Sequence, residues 1–78
     1  MDDLTEIKSI LDTLKPGAVI SGGADLIKSR VLDSFTIVRL VAALEDEFDV
    51  EITPVDITEE NFRSADAIKA MIDRLRDE

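Results

Sequence analysis

The sequence predicts an all-α fold, a small four-helix bundle of three main helices and one short helix, on three observations. Apolar residues recur at spacings of three and four in three separate stretches. The one stretch that alternates loosely, Val50, Ile52 and Val55, carries Pro54 and has no second strand to pair with. The turn-forming residues Pro16-Gly17, Ser21-Gly22-Gly23 and Pro54 fall between the periodic stretches rather than within them.

In the first helix Leu4, Ile7, Leu11 and Leu14 line one face and Ile10 widens it, while Asp3 followed by Glu6 resembles a capping arrangement at its start. Lys15-Pro16-Gly17 stops it, because proline lacks the amide hydrogen a helix needs. From Pro16 to Asp33 the periodicity lapses, and Ile20, Leu26, Ile27, Val31 and Leu32 are left as scattered apolar anchors. An ordered connection of that length suits two helices that run in similar directions.

The second helix begins at Asp33, whose carboxylate can accept amide hydrogens of the first turn, and continues to about Asp49. Ile37, Leu40, Val41, Leu44 and Phe48 share its buried face. Glu45, Asp46 and Glu47 cluster at its far end, where acid opposes the helix dipole by about 0.3–1 kcal/mol per charge, so packing has to outweigh them. An extended loop through Val50 and Val55 leads to a short helix starting at Thr58-Glu59-Glu60 and ending near Phe62. Ser64 caps the last helix, in which Ala65, Ile68, Ile72 and Leu75 face inward, with Asp66 in the first turn and Arg74 and Arg76 in the last, as the dipole prefers.

Seventy-eight residues make one domain, spanning 1–78, with a core of modest size. The formal charge is −9 while 45% of residues are apolar, so the acidity belongs to a solvated surface and not to a disordered chain. Such a surface repels nucleic acid and anionic membranes, attracts partner proteins with basic docking surfaces, and favours a monomer. There is no secretory signal at Met1-Asp2-Asp3 and no run of apolar residues long enough to span a membrane, so a cytoplasmic protein is expected.

Catalytic chemistry finds few groups to use. Without histidine or cysteine, a serine has no customary base, and neither a disulfide framework nor a thiolate nucleophile is available. The pairs Asp46-Glu47 and Glu59-Glu60 point about 100° apart on a helix and lack calcium-loop spacing. Gly22-Gly23 lacks the surroundings of a phosphate loop and reads as a turn. What stands out is the second helix, where Phe35, Val38 and Ala42 form another apolar stripe, rotated from the Leu40, Leu44 and Phe48 line. Such a stripe is either wider core or a docking surface.

The stretch Leu32-Asp33-Ser34-Phe35, continued by Val38-Arg39-Leu40 and Leu44-Glu45-Asp46-Glu47-Phe48, resembles the phosphopantetheine attachment motif of the acyl carrier protein family. Ile52, Asp56, Asn61-Phe62 and Ser64 to Ile68 are similar to that family's closing portion, so the likeness runs from about Leu32 to Leu75. The chemistry suits the motif, since the first turn of a helix offers unpaired amides and a positive dipole end to a phosphate. The resemblance implies an acyl-carrier-like bundle that is not an enzyme. Ser34 would be esterified with 4'-phosphopantetheine from coenzyme A by a phosphopantetheinyl transferase, with Asp33 beside it.

On that resemblance the arm carries acyl or aminoacyl groups as thioesters between a loading ligase and acyl-transfer or condensing enzymes. Phe35, Val38 and Ala42 become the docking stripe, with Arg39, Asp33, Glu45 and Glu47 on or near its charged rim. Phe35 in place of the usual leucine looks like D-alanyl carrier proteins. Arg39 stands where fatty-acid carriers generally have an acid; peptidyl carriers often have arginine there, yet their Gly-Gly-x-Ser lead-in is replaced by Val31-Leu32-Asp33. A specialised pathway is therefore implied rather than housekeeping fatty-acid synthesis. The alternative is an unmodified helical interaction module with a carrier-like fold.

Overall fold

The computed structural model describes residues 3–16, 25–28 and 32–77. Its helices are α1 (Asp3–Leu14), α2 (Ser34–Phe48), α3 (Glu59–Phe62) and α4 (Ala65–Arg76), with a 3-10 turn at Pro54–Asp56 and no strand among the described residues. The four-helix expectation therefore holds. Helix α1 packs against both α2 and α4, and α3 packs against α4.

The periodic residues form the core. Ile7 and Leu11 of α1, Leu40 and Leu44 of α2, Phe62 of α3, and Ala65, Ile68 and Ile72 of α4 are fully buried together. Leu4, Ile10, Leu14, Ile37, Val41, Phe48 and Leu75 pack against them from the edges. Met71 and Thr36 also join the interior without having been expected there, and Thr36 follows the i, i+4, i+8 line of Leu40 and Leu44.

Local hydrogen bonds set the helix limits. Asp33 caps α2, and Asp49 ends it in the left-handed conformation (φ 53°), which aspartate tolerates better than a branched residue does. Thr58 and Ser64 cap α3 and α4 by accepting the Asn61 and Ala67 amides. Asp3 is the first residue of α1; instead of capping, its carboxylate accepts Arg76 Nη1 at 2.7 Å, which ties the start of α1 to the end of α4. The Arg76 guanidinium also lies 6.0 Å from the Phe48 ring centre, so one side chain links three helices.

Within the long connection, Leu26 and Leu32 are buried and Ile27 half-buried, and the Leu26 amide donates to the Arg63 carbonyl. Ile20, Val31 and the Ser21-Gly22-Gly23 turn lie outside the described residues. After α2, the expected extended loop is interrupted by the 3-10 turn. Proline presets its φ, and Asp56 Oδ2 reaches back to accept the Thr53 amide and hydroxyl, both at 3.1 Å. Asn61 donates to the Asp56 carbonyl and accepts Arg74, which ties that turn to α3 and α4.

Candidate functional site

Ser34 is the first residue of α2 and its side chain is exposed. Among the described residues the Ser34 hydroxyl has no hydrogen-bond partner, so nothing need be broken for it to react. The preceding Asp33 has extended backbone and its Oδ1 accepts the Thr36 amide at 2.8 Å, which fixes where the helix, and hence Ser34, begins. That amide holds the Asp33 carboxyl below the ordinary carboxylate range, helped by the Lys15 ammonium, whose Nζ lies 3.8 Å from Oδ2. The first-turn amides of Ser34 and Phe35 keep no intrahelical acceptor, as at every helix start.

Beside Ser34 opens a cleft of about 330 Å³. Ile27 and Leu32 from the long connection, Ile37 from α2, and Ile57, Thr58 and Glu59 from the approach to α3 line it, with Asp33 and Ser34 at its edge. The neighbouring face of α2 carries the second apolar stripe. Phe35 is 72% exposed and Val38 68%, and Ala42 is exposed as well, so the stripe is surface and not wider core. Val55 and Ile57 add exposed apolar side chains on the loop after α2.

Charges around the stripe fall partly where expected. Arg39 is exposed and its guanidinium lies 5.7 Å from the Phe35 ring centre. Glu45 is half-buried and turned back onto the following loop, where its Oε2 accepts the Ile52 amide at 2.9 Å. Glu47 meets Glu6 of α1, whose carboxylate shares a hydrogen bond with it and repels it, raising the Glu47 pKa above its usual value. Of the two glutamates expected on or near the rim, Glu47 is exposed and Glu45 half-buried, with one carboxylate engaged by a neighbouring helix and the other by a loop amide. The acids in register with the stripe are Asp46 and Asp49, both exposed. Spacing alone could have found Asp46, four residues beyond Ala42.

A hydroxyl without a base beside it is not a hydrolytic centre, and among the described residues no cluster of histidine, cysteine or carboxylate is placed to hold a metal. What the site can do is present one primary alcohol to an outside enzyme. A small helical bundle with that property is suited to the work of a carrier.

The chain belongs to the family described as "Phosphopantetheine attachment site", whose model matches residues 4–72. Proteins of this family bear covalently attached 4'-phosphopantetheine and are not themselves catalytic. The residues present fit the group: an unbonded serine hydroxyl at the start of a 15-residue helix, facing solvent. The chain is similar to the D-alanyl carrier protein of Lactococcus lactis subsp. lactis, 32% identical over 54 residues that span 69% of this chain and 68% of that one.

Solved chains share the fold, two of them from complexes of one ligase. One comes from the crystal structure of Bradyrhizobium japonicum glycine:carrier protein ligase complexed with glycylated carrier protein, with TM-score 0.77 and 31% identity over 87% of this chain and 95% of that one. The other comes from the same ligase complexed with its cognate carrier protein and an analogue of glycyl adenylate, with TM-score 0.70 and 32% identity over 91% of each chain. The described residues include no helix long and apolar enough to cross a membrane.

Proposed function

We propose that Ser34 bears the phosphopantetheine arm and that the chain, a single carrier domain over residues 1–78, carries a small aminoacyl group as the arm's thioester. The observation that carries the proposal is the exposed, unbonded Ser34 hydroxyl in the first turn of α2. Attachment forms a phosphodiester between Ser34 Oγ and the phosphopantetheine of coenzyme A. It releases adenosine 3',5'-bisphosphate, and the hydroxyl proton passes to a base of the transferase, which works with magnesium. Once attached, the arm supplies the thiol that this cysteine-free chain lacks.

A small amino acid as cargo is supported by the likeness to a D-alanyl carrier protein and to chains solved with a glycine:carrier protein ligase. The partners are then a phosphopantetheinyl transferase, an aminoacyl-loading ligase, and an enzyme that accepts the aminoacyl group by acyl transfer or condensation. They meet the chain on Phe35, Val38, Ala42 and Arg39. A cytoplasmic monomer fits the charge of −9.

Mass spectrometry after incubation with coenzyme A and a permissive transferase tests the attachment. A gain of one arm in the native chain and none in Ser34→Ala is expected, and no gain with several transferases refutes it. The holo-protein is then offered glycine or D-alanine with ATP and amino-acid:carrier protein ligases, the Bradyrhizobium japonicum enzyme among them, and a second, hydroxylamine-labile mass gain identifies the cargo. A second reading, an unmodified interaction module, draws on the exposed Phe35 and Val38, which need no arm to bind a partner. It predicts that Ser34→Ala leaves function intact while Val38→Asp abolishes it.

A further inference from the structure

The stripe on α2 carries one cation, and its situation says what has to meet it. Arg39 lies on the exposed face beside Phe35 and Ala42, in a chain whose net charge is −9. Its helical neighbours three and four residues away are Phe35, Thr36, Ala42 and Ala43, so no acid on α2 is placed to pair with it. Nor does it enter any of the ion pairs among the described residues, which join Lys15 to Asp33, Lys69 to Asp73 and Arg76 to Asp3. Its guanidinium instead lies near the Phe35 ring, 5.7 Å from the centre. A ring partner leaves the charge and the N–H groups of the guanidinium open to an incoming carboxylate.

Any protein that covers Phe35 and Val38 also covers Arg39. Burying an unpaired cation opposes docking unless the incoming surface brings a counter-charge. We infer that the docking partner presents an apolar socket for Phe35 and Val38 with an aspartate or glutamate placed to bind Arg39. That acid sits about 7–8 Å along the helix axis from Ser34, five residues at 1.5 Å each. Asp46 and Asp49 continue the same face, with Asp46 about 10 Å beyond Arg39 and of opposite sign. Along the stripe the charge therefore changes sign, from Arg39 nearer the arm to Asp46 and Asp49 farther from it. A partner carrying the complementary order, acid then base, can dock in one direction alone, and that direction aims the arm.

The inference rests on the carrier reading above and commits to the loading ligase as the partner. Wild-type, R39K and R39E proteins are prepared in holo form, each confirmed by mass and by helical circular dichroism, and loading is followed with the ligases already named. Loading by R39E is expected to fall about tenfold or more in kcat/KM while R39K stays within about threefold, since the charge and not the exact fork sets encounter. One Asp→Arg or Glu→Arg substitution in a scan of the ligase surface is expected to restore R39E. Equal loading of R39E and wild type, an equal fall in R39K, or no rescuing position overturns the inference. Ligases that all ignore the arm-bearing wild type overturn it as well and leave the attachment at Ser34 standing, whereas a chain that never gains the arm fails the carrier reading itself.

Discussion

Two substitutions five residues apart on α2 should have opposite consequences, and the contrast tests whether the stripe is presented or packed. Leu40 is fully buried, so Leu40→Ala removes core methyl groups and leaves a cavity, at a cost of about 2–5 kcal/mol. A chain of 78 residues has about 4–12 kcal/mol of stability in total, so this variant comes close to unfolding. Phe35 is 72% exposed, and the hidden part of a ring worth about 1.5–3 kcal/mol when fully buried contributes about 0.4–0.8 kcal/mol. Loss of the Arg39 contact adds about 0.5–1 kcal/mol, and the better helix propensity of alanine returns about 0.5 kcal/mol. Phe35→Ala should therefore cost about 1 kcal/mol. The chain has neither tryptophan nor tyrosine, so urea unfolding is followed by far-ultraviolet circular dichroism. With a slope of about 1 kcal/mol per molar urea, the midpoint moves by about 1 M for Phe35→Ala and by several molar for Leu40→Ala. Equal losses would place Phe35 in the core, and its docking role would fall with that result.

Further outcomes follow from individual contacts. Ser64→Ala deprives the Ala67 amide of its cap and should cost about 1 kcal/mol in the same urea assay; an unchanged midpoint would show that water replaces the hydroxyl. Glu45→Ala leaves the Ile52 amide without its acceptor, an expected loss of about 1–3 kcal/mol that Glu45→Gln should partly recover, and equal losses in the two variants would refute the bond. Glu47 has its pKa raised in the fold by Glu6, so its contribution favours the fold at pH below that raised value and is lost as pH rises through it. Glu47→Gln should accordingly raise the urea midpoint at pH 7 and lose that advantage near pH 4, and a gain independent of pH would contradict the pairing. Asp33 runs the other way, since its lowered pKa contributes stability above the usual carboxylate range that disappears as pH falls through the lowered value.

The helices were legible because each carries its own signal. Thr58 and Ser64 mark starts through side chains that accept the third amide onward, and leucines and isoleucines at helical spacing mark the faces. What escaped lacks such a signal. The turn at Pro54–Asp56 is too short for periodicity and is held by Asp56 folding back on Thr53. Thr36 is polar by type but buried by position, sharing the line of Leu40 and Leu44. Asp33, Ser34 and the Phe35 stripe could be placed from the motif and the helix period together. The fates of Glu45 and Glu47 could not, since they depend on the return of the loop at Ile52 and on the approach of α1 at Glu6, contacts between elements that no local pattern encodes.

The exposed stripe also sets a limit on how tightly a partner can hold the chain. A carrier has to leave each enzyme once the thioester has been transferred, so long residence would slow the cycle it serves. Phe35 and Val38 are the large apolar side chains of α2 that a partner can newly bury, and a contact built on them is small beside the surfaces of permanent complexes. Charge compensates in the other half of the cycle. Attraction over a Debye length of about 8 Å raises the rate of encounter without deepening the final contact in proportion. A short apolar anchor followed along the helix by Arg39 and then by Asp46 therefore favours fast, oriented arrival and fast departure. Enlarging the anchor, for instance by Ala42→Leu, should lengthen partner residence and lower turnover under conditions where release limits the rate, because apolar area slows dissociation while the charges that govern arrival stay the same.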